Sequence, residues 1–189
     1  MSDVVRLCKR AAWIDHGNLR MIGAPGEITD AYLDTTHEGR SVQINDTMRW
    51  GSGEVRISEV ELLGGDLRPV TLPRSGEPLA IRLTLSAPRP VLAPEVVITV
   101  CDQAGTVISE IGTRSRGVHI DSVHGTRTLS LQLDRLALTE GTYELTAAVR
   151  DESGQREYDV RNRFVKFDVL KGATGDGGLV SLGGTWQVD

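Results

Sequence analysis

Aromatic side chains are scarce in this sequence, 4% of 189 residues. Any core it builds is therefore expected to be mostly aliphatic. Cysteine is rarer still: Cys8 and Cys101 stand far apart, without the spacing of metal ligands, and read as two reduced thiols rather than a disulfide. No run approaches the roughly 20 apolar residues that a membrane-spanning helix needs. The opening MSDVVRLCKR carries no long apolar stretch, so neither a secretory signal nor direct membrane insertion is expected, and a cytoplasmic location is. Basic residues are not in excess. The formal charge of −5 disfavours non-specific nucleic-acid binding. Signature motifs of catalysis are missing too: no Walker A loop, no HExxH, no GxSxG and no Cys/His cluster occurs. The expectation is a protein that is not an enzyme and holds no cofactor or metal.

Hydrophobic residues make up 39% of the chain, enough for a core. The stretch RAAWIDHGNLRMIGAPGEITDAYL, residues 10–33, predicts a strand over Ala11–Asp15, a Gly turn, a second strand over Leu19–Ile22, and a helix opened by Pro25. Residues 3–9 allow a short helix before it. A polar stretch over residues 35–49 reads as a linker. From Trp50 onward the period becomes two. In PLAIRLTLSA, Leu79, Ile81, Leu83 and Leu85 fall on one face; in GTYELTAAVRD, Tyr143, Leu145, Ala147 and Val149 do. TLSLQLDRL places Leu129, Leu131 and Leu133 inward, and GVHIDSVHG reads as a loop carrying His119 and His124. GATGDGG reads as a flexible spacer, and GLVSLGGTWQVD beyond it as a last strand. Short strands separated by Gly, Pro and Asp turns predict an all-β, antiparallel, immunoglobulin-like or jelly-roll sandwich of about eight strands.

Acidic residues such as Asp102, Glu110, Asp121 and Asp151 sit where turns and strand edges are expected, and turn formation is their simplest role. Sugar recognition asks for something different: planar amides and Arg or Asp forks that match vicinal hydroxyls on a rigid support. Two stretches offer them. One is TRSRG, with Thr113, Arg114, Ser115 and Arg116; the other is REYDVRNR, with Tyr158, Asp159, Asn162 and Arg163. Trp50 and Trp186 lie at the two ends of the β region, where packing at an edge suits them better than a sugar platform.

LCKRAAWIDHGNLRMIGAPGEITDAYL resembles the closing segment of an ABC ATPase domain. RWGSGEVRISEVELLGG, SGEPLAIRL, GTYELTAAVRDESG and RFVKFDVL resemble the C-terminal domain of the ATP-binding subunit of Wzt-type O-antigen exporters. The resemblance implies that residues 1–34 are the tail of an ATPase domain, 35–49 a linker, and 50–189 a carbohydrate-binding sandwich. It implies a homodimer with an exchanged terminal strand, and a membrane-embedded transporter subunit reached through the ATPase domain. It also implies an exported glycan as ligand, bound at its modified terminus. The phosphate loop, signature motif and switch histidine do not occur here, so ATPase activity does not carry over. A different reading is a dimerisation or docking domain that contacts a glycan-capping or partner protein without binding sugar.

Overall fold

The computed structural model describes residues 7–15, 17–28, 31, 43–44, 48–173 and 175–188. The chain divides into two units, residues 1–41 and 42–189, each described by itself.

In the first unit β1 (Ala11–Asp15) pairs antiparallel with β2 (Asn18–Gly23), as the apolar runs flanking the Gly turn predict. Arg20 and Asp15 form an ion pair across the turn at 3.1 Å. Helix begins at Pro25 and covers residues 25–28, with Ile28 buried and its amide donating to Ala24 O at 3.1 Å. Leu7, Ile14, Leu19 and Ile22 are exposed. Most of the expected helix over residues 3–9, and Tyr32, lie outside the described residues.

The second unit is a sandwich of antiparallel sheets. Its strands are β3 (Gln43–Ile44), β4 (Arg49–Trp50), β5 (Arg56–Gly64), β6 (Leu79–Leu92), β7 (Glu95–Asp102), β8 (Val107–Gly112), β9 (Ser122–Leu133), β10 (Gly141–Arg150) and β11 (Glu157–Val169). One sheet runs β3-β11-β10-β7-β8, with β4 also on β11; the other runs β5-β6-β9. The period-two faces meet between them. Leu79, Ile81, Leu83 and Leu85 of β6 pack in one cluster with Tyr143, Leu145, Ala147 and Val149 of β10. Leu129, Leu131 and Leu133 of β9 pack against that cluster, partly buried. Fully burying each leucine, isoleucine or valine among them contributes about 1.5–3 kcal/mol.

Three segments differ from the sequence reading. The linker expected over residues 35–49 ends in strands: Gln43–Ile44 and Arg49–Trp50 both pair with β11, covering an edge that would otherwise stand open. Gly51 makes this possible. Its φ is +129°, and a Cβ there would lie 2.5 Å from Tyr158 O. The loop expected around His124 is partly strand, because β9 begins at Ser122 and Val123 is fully buried, paired with Val91. Among the described residues of GLVSLGGTWQVD no strand forms beyond a single bridge. Leu138 and Val180 form one antiparallel bridge, with Ser181 N donating to Ala137 O at 2.7 Å. Gly183 and Gly184 then take φ of +70° and +113°, which breaks the extended run, and Leu182, Trp186 and Val188 are almost wholly exposed.

Candidate functional site

β8 and β9 are the edge strands of opposite sheets, and a cleft of about 290 Å³ opens between them. Its floor is aliphatic: Leu83, Val96, Ile98, Leu129 and Leu131. Its rim is polar: Thr113, Arg116, His119, Arg127, Thr128 and Ser130. No carboxylate and no Phe, Tyr or Trp is among the lining residues, and Arg116 and Arg127 make the rim cationic.

The turn after β8 is built to be rigid. Thr113 exchanges bonds with Val96: its amide donates to Val96 O at 2.9 Å, and its Oγ1 accepts from Val96 N at 3.2 Å. Ser115 Oγ donates to Gly112 O at 2.8 Å, which pins the 3₁₀ turn of Arg114–Arg116. Gly117 closes it in the left-handed region at φ 69°, its amide bonded to Arg114 O at 2.9 Å. The fold thus spends Ser115 and part of Thr113 on the backbone and projects two guanidinium groups. Arg116 faces the cleft, while Arg114 lines an adjoining depression with His119, Glu95 and Glu152. Arg127 Nη1 donates to Ser122 O at 2.6 Å, which fixes its head on β9.

The two stretches singled out in the sequence do not come together. β11 is separated from β8 by β10 and β7, about 14 Å at the usual strand spacing. Tyr158 and Asp159 are buried rather than presented to solvent. Asp159 accepts from Arg49 Nε and Nη2, both at 2.8 Å, and from Ile57 N at 2.7 Å, so its carboxylate ties β4 and β5 to β11. Beyond it β11 bulges: Arg161 pairs with Ala147 but Val165 pairs with Leu145, and Arg163 has φ +48°. Thr146 fills the bulge, bonding Asn162 Oδ1 at 3.1 Å and Arg163 N at 2.8 Å. Arg163 turns its guanidinium to the Glu144 carboxylate and to Gln103 O, and the bond to Glu144 pushes its pKa up. Asn162 and Arg163 thus occupy a second, separate surface, held largely by partners within the fold.

His119, read from the sequence as a loop residue, lines the cleft, and Arg127, Thr128 and Ser130 are cleft residues that sequence reasoning passed over. The polar–apolar alternation of TRTLSL was the signal for those three, but which strand edge they would face was not in it. Trp50 Nε1 donates to Glu157 at 2.6 Å on the β4–β11 edge, and Trp186 is fully exposed; neither lines the cleft. Among the described residues no three His, Cys, Asp or Glu side chains stand close enough to hold a metal ion.

Comparison with known proteins gives three findings. Residues 46–182 match the family model described as the Wzt C-terminal domain. An O-antigen export system ATP-binding protein, RfbB of Myxococcus xanthus, is 27% identical over 174 residues that take in 82% of this chain and 39% of the relative. The chain therefore spans well under half of that relative's length. A crystal structure of the C-terminal domain of wzt superposes with a TM-score of 0.71 at 14% identity, over 82% of this chain and 96% of that one. That likeness supports the fold.

Proposed function

The chain belongs to the Wzt C-terminal domain family, and on that premise we propose that its sandwich binds an exported O-antigen-type polysaccharide without catalysis. The observation that carries the reading is the cleft between β8 and β9, an aliphatic floor under a rim of hydroxyls and guanidinium forks. A sugar ring has the matching surfaces: C–H faces for the floor and vicinal hydroxyls for the forks. Arg116, Arg127 and Thr128 bind the terminal residue of the glycan, and Arg114 meets the next residue along. Tyr158 and Asp159 support the fold, and Asn162 and Arg163 offer at most a secondary contact.

In the whole exporter this module presents the glycan to a membrane-embedded transporter subunit, at the inner face of the membrane, through the ATPase domain whose tail is residues 1–34. Among the described residues no helix is long and apolar enough to cross a membrane. Two copies pair through their C-terminal strands, the exchange taking the residues beyond Gly184 while Ser181 and Gly183 keep their places against Ala137 and Arg135. Four such residues or near neighbours, Leu179, Leu182, Trp186 and Val188, are exposed, a poor state for apolar side chains in water. The same exposed segment favours the second reading, docking of a partner protein.

Arg116→Ala tests the binding site by calorimetric titration of the full chain with fragments of the polysaccharide. Few polar anchors give an affinity between micromolar and millimolar. Losing one fork weakens it roughly 10-fold, about 1.4 kcal/mol, with the melting temperature unchanged. Binding by the variant equal to that of the parent would move the site off the cleft.

A further inference from the structure

A second cavity, of about 540 Å³, lies where the chain leaves β11. Three segments meet there, and backbone hydrogen bonds lock them together. Ser75 N donates to Leu170 O at 2.9 Å, Leu170 N to Pro73 O at 2.8 Å, and Gly76 N to Leu136 O at 2.8 Å. This bonding brings Arg74, Arg135 and Lys171, remote in sequence, to the wall of one cavity. Glu77 is the single carboxylate among the lining residues. Asp176 is linked to Arg135 through the buried Ser181, whose Oγ donates to the Asp176 carboxylate and accepts from Arg135 Nη2 at 2.6 Å.

Three cations against one lining carboxylate is an unusual balance in a chain of net charge −5. Among the described residues the side chains of Arg74 and Lys171 have no hydrogen-bond or ion-pair partner, and the Arg135 guanidinium is held only by a hydroxyl. Like charges gathered in a concave wall repel one another until an anion neutralises them. The backbone is shaped for the same arrangement. Gly183, at φ +70°, crosses directly over the Arg135 guanidinium, and a Cβ there would run into it.

We propose that this cavity binds a ligand bearing an oxyanion, a phosphate or carboxylate group. Arg135 offers its planar fork to two oxygens, and Arg74 and Lys171 supply charge. The volume is many times the roughly 30 Å³ of one water, so the ring that carries the anionic group fits as well. The site lies apart from the β8–β9 cleft, shares no lining residue with it, and does not depend on the glycan reading.

The test is an NMR titration of the full chain at constant ionic strength with inorganic phosphate, glucose 6-phosphate, glucuronate and glucose. Glucose 6-phosphate or glucuronate should shift the amides of Ser75, Gly76, Gly172 and Gly183, and the stronger of the two identifies the anionic group. Glucose should leave these amides unmoved. Lys171→Gln should weaken binding several-fold, and Arg74→Gln with Lys171→Gln at least 10-fold. Binding of polysaccharide fragments at the cleft should survive in both variants. Lys171 is exposed, so its single variant keeps the test available if the double variant does not fold. Anionic probes that leave the four amides unmoved, or K171Q titrating like the parent, would overturn the proposal. So would equal shifts from sodium chloride, or from glucose.

Discussion

Replacing Asp159 with alanine removes the acceptor of three hydrogen bonds that join β4, β5 and β11. Two costs follow. The Ile57 amide, on a residue with 0% exposure, loses its acceptor and cannot turn to water, which costs about 1–3 kcal/mol. Arg49 loses a bidentate partner, and breaking a fully buried pair of this kind costs about 3–5 kcal/mol. Its side chain is 28% exposed, however, and it keeps a bond to Ile57 O, so water recovers much of that loss. About 3 kcal/mol in total is expected, a large part of the stability of an ordinary domain. Asp159→Asn keeps an oxygen for Ile57 N and should cost about 1 kcal/mol, the difference reporting the charge. Urea unfolding followed by tryptophan fluorescence measures both, with an unchanged m value showing that the midpoint shift is stability. A cycle with Arg49→Met should return a coupling energy above about 1 kcal/mol. A change of under about 1 kcal/mol for D159A would refute the account of this carboxylate as a buried tie, and would return Asp159 to the candidate ligand residues.

Two further outcomes are expected. Deleting residues 173–189 should turn a dimer into a monomer or an aggregating species by light scattering, and a full chain that runs as a monomer at micromolar concentration would exclude strand exchange. Asp102 accepts from the Thr106 amide at 2.8 Å, and that bond holds its carboxyl below the usual aspartate value. Its contribution is therefore complete above the unfolded value of about 3.9 and is lost as pH falls through the lower folded one. Asp102→Asn should flatten the acid side of the stability profile, and an identical slope in the two proteins would count against the bond.

The sandwich was legible because burial on one face of a strand leaves a period-two trace. Leu79 to Leu85 and Tyr143 to Val149 carry it, and their side chains meet in the core as that trace predicts. Thr113–Arg116 stood out as a polar, Arg-rich run, but the 3₁₀ turn that presents it was not read from the sequence. REYDVRNR was harder. Its charges suggested an exposed face, but Asp159 is buried by Arg49, a partner 110 residues away that local sequence does not reveal. The other half of the cleft was hidden for a related reason. Arg127 and Ser130 face Arg116 only because β8 and β9 are edges of opposite sheets, a fact of topology rather than of composition. The C-terminal segment carried two conflicting signals. Leu179, Leu182, Trp186 and Val188 suggested a strand, while Gly183 and Gly184 interrupt one.

The claim that this sandwich binds a glycan in the cleft between its sheets is tested most directly by mapping amide shifts. The full chain, titrated with terminal fragments of the polysaccharide its exporter carries, should show saturable shifts at Thr113, Arg116, Arg127, Thr128 and Ser130. Residues of the Asp159 tie should stay still. Saturating ligand that shifts none of the cleft amides, or only those of residues 179–188, would contradict the account.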